Sequence, residues 1–532
     1  METEKQKLTG SYYTESKIAE FAANWAIRGG ADAVLEPSFG EGIFIDKALE
    51  RFAELGAEEP SVVAVEVQPE ISERVGRQFE SRGVNIISAD YLSTGFKQQF
   101  DATIGNPPYV GLRNLTPEQV WSARVVINKH GAPCPNNGSL WFPFVLHAID
   151  STKKGGRLAF VLPFEITYAK YSHGLWEILA RNFEKLSIYR IYEDFFPNVD
   201  VETVLLLTDC RGGSTNRVDY NTYDTVEALL DNKATASMSV NVADITAGRK
   251  PFVSALLTTE QRQLIKKAKE TNLLQPIIDT CKFKIGYVSA DKVYFHPTEE
   301  TISHYSIPRE NIHPTILNAK EINGSTGIGI EVMSGDCQSG LYVPGRITEG
   351  DRLYIQSGEM LGVNQRYKCR RRKPWYVTPN IEVPDVILSV FGETPKIVAN
   401  KGRYAISNSL LCGHLKGGAN AESLLCRWYN SLTLLSLEMN VHSLGGGSFV
   451  VIPGEADRLD IVKGIPKEDV QRVYRALDDA IKEKGTEAAY ELGDEIVLKG
   501  IFGMHEQDIA TIREAIKTLR KWRNPQNRRT LG

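Results

Sequence analysis

The 532-residue sequence predicts an α/β protein: a mostly parallel, doubly wound sheet in the first 210 residues, followed by a differently built α+β half. Three observations predict it. Short apolar strands alternate with amphipathic helices along the first 210 residues. Clusters of Gly, Pro, Asn, Asp and Glu follow the strands, where an open α/β sheet binds its ligands. After about residue 245 the alternation stops and the sign of the charge changes. Residues 1–250 carry 25 Lys and Arg against 33 Asp and Glu, and residues 251–532 carry 37 against 33.

Residues 16–26 have helical apolar spacing. A strand over 33–35 runs into Glu36-Pro37-Ser38-Phe39-Gly40-Glu41-Gly42 and a helix over 43–55. SVVAVE (61–66) is a strand, 71–81 a helix, and 84–88 a strand that stops at Ala89-Asp90. A strand over 101–105 stops at Asn106-Pro107-Pro108-Tyr109. Helices near 140–149 and 174–183 and strands over 156–162 and 201–207 complete the pattern. Helices are expected over 261–271 and within 467–529. The predicted domains are 1–245, 246–465, and a helical C-terminal segment 466–532 with a basic tail.

Composition narrows the function classes. With 42% hydrophobic and 24% charged residues, the chain is not mainly disordered. No run of 18 apolar residues appears and METEKQKLTG lacks a signal-peptide core, so no membrane span and a cytoplasmic location are expected. The seven cysteines form no C-x-x-C pair and read as free thiols. Cys412, His414, Cys426 and His442 fit no zinc spacing, so no metal is expected. Asp385 with Glu393 and Lys396 lacks the Glu-x-Lys spacing of a nuclease core.

Gly40 and Gly42, between a strand and a helix, let backbone approach a ligand. A dinucleotide cradle would need a third glycine where Ile45 stands. Glu66 ends the next strand, placed to accept hydrogen bonds from ribose hydroxyls. Asp90 ends the third, placed to accept from an adenine amino group or to cap a turn. Together these three strand ends form a nucleoside pocket. In Asn106-Pro107-Pro108-Tyr109 the two prolines fix φ and remove two donors, leaving rigid carbonyl acceptors beside the Asn amide and the Tyr ring. That set suits a planar ring bearing an NH₂ group.

On these motifs the chain resembles the adenine-specific (N6) DNA methyltransferases of type II restriction–modification systems, in the order with the cofactor-carboxylate motif at the N-terminus. The resemblance implies a Rossmann-like domain dependent on S-adenosylmethionine (SAM), then a C-terminal target-recognition domain. It implies that Thr9 to Thr14, with Tyr13 and Thr14, hold the methionine carboxylate; this chain has Thr14-Glu15 where the family usually has Thr-Pro. Glu36 to Phe44, including Pro37, Gly40 and Gly42, would be the first cofactor motif, with Glu36 on the methionine amino group. Glu66 would hold the ribose, Asp90 the cofactor adenine with Tyr91 packed beside it, Asn106 to Tyr109 would be catalytic, and Asn106 would also contact the cofactor. Ser139-Leu140-Trp141-Phe142-Pro143-Phe144 resembles a helix that usually begins Asp-Leu-Tyr, and Ser139 receives no role. In Phe196-Pro197-Asn198 the aromatic that stacks on the target base would be Phe196, with Phe195 the alternative.

A duplex hides N6 in the base stack, so an enzyme acting there flips the nucleotide out and grips phosphates. Residues 366–376 combine six basic residues with three aromatics. Lys368, Arg370, Arg371, Arg372, Lys373 and Trp375 are the candidate DNA contacts. Lys282–Phe295 also alternates basic and aromatic residues. Leu444–Phe449 is glycine-rich but is no P-loop, since no Lys-Ser/Thr follows. Double-stranded DNA is the expected partner, and the resemblance allows a cognate restriction endonuclease. Two alternatives remain: another amino-group methyltransferase, against which Asn106 and the long back half speak, and a DNA-binding subunit without turnover, which the intact Asn106–Tyr109 argues against.

Overall fold

The computed structural model describes residues 14–135, 138–192, 203–323, 327–331, 339–392, 394–443 and 449–523. The chain divides into two compact units, residues 1–256 and 257–532.

The first unit is built on one nine-stranded sheet. Its strands are β1 (Ala33–Glu36), β2 (Ser61–Glu66), β3 (Asn85–Ser88), β4 (Phe100–Gly105), β5 (Thr152–Pro163), β6 (Phe183–Ile191), β7 (Thr203–Arg211), β8 (Arg217–Tyr223) and β9 (Ala236–Asn241). Their order is β3-β2-β1-β4-β5-β7-β6-β8-β9. The first five are parallel, an arrangement that the crossover connections between neighbouring strands allow. β7 then inserts antiparallel between β5 and β6. The strand order reverses between β1 and β4, where Val34 pairs with Ala102 and Leu35 with Thr103. That is a topological switch point, and Glu36 and Gly105 are the neighbouring strand ends that flank it.

Helices α1 (Ser16–Ala26), α2 (Ile43–Glu54), α4 (Trp141–Ser151) and α5 (His173–Asn182) pack on the sheet, and α3 (Pro117–Lys129) packs on α4. Ile18, Ala22 and Ala26 of α1 and Phe44, Ala48 and Phe52 of α2 bury one stripe each in a common core with Val34, Ala64 and Ile104. α3 begins with a capping box, Thr116 with Gln119, and Pro117 in the first turn. The helical run 69–80 contains a π-helical stretch, Ser72–Gly76. β6, β8 and β9 extend the sheet beyond the strands expected from the sequence.

The second unit holds an antiparallel sheet of Cys281–Ile285, Leu410–Leu415, Val386–Ser389 and Ile397–Ala399, in that order. The terminal helices Lys467–Lys484 and Glu506–Arg523 pack onto Ala421–Trp428 and Ser431–Asn440 within the same unit. Buried acids anchor the last helix: Arg513 pairs with Asp494 at 2.8 Å and Arg520 with Glu438 at 2.9 Å. Among the described residues no helix is long and apolar enough to cross a membrane.

Candidate active site

A cavity of about 490 Å³ opens at the carboxyl ends of β1 to β4. This volume lies in the range of small-molecule and cofactor sites. Of the residues that the sequence assigns to cofactor and catalysis, Thr14, Glu36, Pro37, Gly40, Glu66, Asp90, Tyr91, Asn106 and Pro108 line it. Tyr13, Phe195 and Phe196 lie outside the described residues.

β1 delivers Glu36 into the interior, where it is 2% exposed. Burial raises its pKa well above the ordinary carboxylate value, and the neighbouring Glu66 charge raises it further; a hydrogen bond from the Ile45 amide opposes both. Glu36 Oε2 has no hydrogen-bond partner among the described residues. A buried carboxylate oxygen in that state is costly unless a cationic or donor group meets it. Glu66, at the end of β2, accepts from Gly40 N at 3.1 Å and from Gln68 N at 2.9 Å. It thereby ties the glycine turn to the second strand. Burial raises its pKa too, against the pull of these amides.

The turn needs both glycines. Gly40 has φ +51° and Gly42 φ +83°, left-handed conformations that favour glycine. A Cβ on Gly42 would also run into the Phe79 ring. Asp90 ends the β3 segment and caps the single turn Tyr91–Ser93, accepting from Leu92 N at 3.1 Å. The cap reading of Asp90 is therefore realised, and it fills one of the carboxylate's four lone-pair sites. The Tyr91 ring packs 4.9 Å from Phe144 and 4.7 Å from His147, forming an aromatic wall.

Asn106 follows Gly105, whose φ of +155° turns the chain out of β4. Asn106 Nδ2 donates to Thr14 Oγ1 at 3.2 Å, and the Asn106 carbonyl accepts from Ser38 Oγ at 3.3 Å. So the catalytic candidate is bonded to a residue that the resemblance assigned only to the cofactor carboxylate. No sequence signal announces this bond, which joins residues 92 positions apart. Val110, Leu115, Ile43, Phe44 and Phe144 supply apolar walls that the motifs do not mark as such.

In the second unit the basic segment separates into two sets. Arg372 directs its guanidinium to the carbonyls of Ser289 at 3.0 Å and Val288 at 2.6 Å, and burial lowers its pKa. Trp375 donates to Glu359 at 3.1 Å and packs 5.2 Å from Tyr294. These two side chains brace the turn, because their donors and faces are already used inside the protein. Lys368, Arg370, Arg371 and Lys373 are exposed and make no ion pair with a described residue.

Comparison with known proteins agrees with this layout. Residues 49–196 match the Eco57I restriction-modification methylase family, and residues 249–498 match the C-terminal domain of type II methyltransferase M.Eco57I. The chain is 24% identical over 430 residues to type II methyltransferase M.AccI of Acinetobacter calcoaceticus, covering 77% of this chain and 76% of that one. It is 25% identical over 199 residues to M.HincII of Haemophilus influenzae, but that match spans only 35% of the relative. The fold is similar to the type IIL restriction-modification enzyme MmeI in complex with DNA, with TM-score 0.55, 12% identity, and coverage of 92% of this chain and 73% of that one. A nuclease-deletion mutant of the type ISP enzyme LlaGI, with a DNA substrate mimic, gives TM-score 0.55 at 11% identity, over 88% of this chain and 47% of that one. With the methylase and C-terminal family matches in sequence order, and a doubly wound sheet carrying the motif residues at its switch point, the chain belongs to the type II methyltransferases of restriction–modification systems.

Proposed function

We propose that the protein transfers a methyl group from S-adenosylmethionine to the N6 amino group of an adenine flipped out of double-stranded DNA. One observation carries this reading. A buried carboxylate oxygen without a partner among the described residues, on Glu36, lines the same cavity as Asn106 and Pro108 of the Asn-Pro-Pro-Tyr turn.

The residues present fit the cofactor. Glu36 Oε2 suits the methionine ammonium, which would compensate its burial. Glu66 spends one lone pair per oxygen on Gly40 and Gln68 and keeps others for ribose hydroxyls. Asp90 keeps acceptor sites for the adenine amino group, and Tyr91 with Phe144 offers the apolar wall. Pro37, Gly40 and Gly42 shape the turn, and Tyr13 and Thr14 complete the carboxylate end in this reading. When bound, S-adenosylmethionine supplies an electrophilic methyl group on a sulfonium.

The chain's own residues prepare the nucleophile. With Nδ2 on Thr14, the Asn106 side chain presents its carbonyl oxygen to the target amino group. The Pro107 carbonyl accepts a hydrogen bond from the second amino hydrogen. Two acceptors draw the nitrogen toward sp³ and free its lone pair for attack. Pro108 keeps the turn rigid, and Tyr109 with Phe196, or Phe195, holds the flipped base from its two faces. Lys368, Arg370, Arg371 and Lys373 neutralise phosphates. The complexes of MmeI with DNA and of LlaGI with a DNA substrate mimic support DNA as the partner, and a cognate restriction endonuclease would be the second partner in this reading.

The test is methyl transfer from labelled S-adenosylmethionine to unmethylated duplex DNA, with the nucleosides digested and identified. N6-methyldeoxyadenosine is expected. Label on deoxycytidine would overturn the choice of base. Asn106→Ala should lower turnover by roughly 100-fold or more while cofactor binding persists, since it removes an acceptor that acts on the reacting nitrogen. A normal rate in that variant would sink the mechanism.

A further inference from the structure

The three most exposed large apolar side chains among the described residues belong to one small region of the second unit. Val293 is 86% exposed, Met360 78% and Leu361 76%. All three adjoin the same aromatic knot. Tyr294, next to Val293, stacks on Tyr354 at 4.6 Å with an interplanar angle of 6° and packs against Trp375 at 5.2 Å. Tyr354 belongs to the helix Glu349–Met360 and its hydroxyl donates to the Tyr294 carbonyl, while Leu361 caps that helix. Gly358 lies so close to Tyr294 and Trp375 that a Cβ there would meet both rings within 3 Å. Two further sets of bonds lock the loops together: Arg366 pairs with Asp291 at 2.8 Å, and Arg372 holds the carbonyls of Ser289 and Val288.

The apolar tips are thus mounted on a rigid base rather than on a loose loop. Burying them against this protein would have stabilised the fold, since apolar surface removed from water lowers the free energy in proportion to its area. The second feature is charge. Lys292, Lys368, Arg370, Arg371 and Lys373, on the same two bonded segments, are exposed and make no ion pair with a described residue. Arg371 lies over the exposed Tyr367 ring at 4.3 Å. Of the nearby acids, Asp291 is neutralised by Arg366, while Glu359 accepts from the neutral Trp375 indole and keeps its charge.

Exposed aliphatic tips on a stiff mount, with cations unpaired among the described residues on the segments bonded to it, match a polyanion with an apolar interior. We infer that Met360 and Leu361, with Val293, form a wedge that enters the DNA base stack beside the target site while the neighbouring cations hold the phosphates. Apolar wedges of this kind unstack a base step and bend the duplex. The wedge would lower the cost of extracting the target base by breaking the stack next to it. This inference rests on the proposed DNA methylation and specifies how the second unit contributes to it.

The test uses the full-length protein and unmethylated duplexes containing the site that the methyl-transfer assay identifies, with the fluorescent base 2-aminopurine placed at each position across the site in turn. The wild type is expected to brighten the probe at the target adenine and at a second, separate step. Met360→Ser with Leu361→Ser should abolish the second signal and lower kcat/KM for DNA by roughly 10-fold, with KM for S-adenosylmethionine and the melting temperature unchanged. Val293→Ser, made separately, should weaken the same signal. Absence of a second unstacked step in the wild type, or a double variant with unchanged DNA kinetics, would overturn the wedge. So would a double variant whose only change is its oligomeric state, which would make the tips a protein contact. Failure of the wild type to form N6-methyldeoxyadenosine would instead overturn the proposed function, so the two failures are distinguishable.

Discussion

Glu36 concentrates the energetics of the site in one side chain. Its carboxyl is buried, its pKa is raised first by burial and then by Glu66, and one oxygen has no partner among the described residues. A raised folded-state pKa means that the folded protein holds the proton more tightly than the unfolded chain does. The stability this contributes is present below the ordinary carboxylate range and is lost as pH rises through the raised value. Glu36→Gln should therefore raise the melting temperature of the cofactor-free protein near neutral pH and flatten that part of its pH dependence. The same change should weaken S-adenosylmethionine binding by roughly 10- to 100-fold, as removal of a charge-assisted hydrogen bond does. Calorimetry in buffers of different ionisation enthalpy checks the linkage: binding should release a proton as Glu36 ionises, and affinity should fall as pH is lowered through its raised pKa. Equal affinity in the variant would show that Glu36 does not face the cofactor cation.

The turn between β1 and α2 shows how an element positions chemistry. Two left-handed glycines and the Glu66 carboxylate hold it against β2. Gly42→Ala would impose an unfavourable φ and drive a methyl group into Phe79, so a destabilisation of about 1–3 kcal/mol is expected in urea unfolding. Much of this element level was legible in the sequence. The strand over 61–66 and the helix starting at residue 43 appear where apolar periodicity placed them, because both bury a regular stripe in the core. β6, β8 and β9 are not among the strands expected above. β8 (Arg217–Tyr223) and β9 (Ala236–Asn241) do alternate apolar and polar residues, the period-two mark of a strand with one open face, which differs from the near-continuous apolar runs of the buried strands.

Across the whole chain, the basic back half is the DNA-binding partner of an acidic catalytic half in this reading. Replacing Lys368, Arg370, Arg371 and Lys373 with Gln should weaken binding to all duplexes alike. It should reduce the slope of log K against log salt by about 0.9 for each phosphate no longer neutralised. Arg372→Gln should behave differently. It should destabilise the second unit, because its guanidinium supports two carbonyls in the protein interior. An unchanged salt slope in the fourfold variant would place the phosphate grip elsewhere.

The order of chemical groups at the strand ends, Glu36, Glu66, Asp90 and Asn106, is written in the local sequence. Each sits in a short segment whose spacing from its own strand is set by backbone geometry. How those groups are used was settled only when the chain folded. Folding left Glu36 Oε2 without a partner among the described residues, bonded Asn106 to Thr14, and turned Arg372 and Trp375 inward while Lys368, Arg370, Arg371 and Lys373 stayed outside. Such choices depend on which side chains from distant segments fill the same space, and packing among residues far apart in the chain has no local sequence signature.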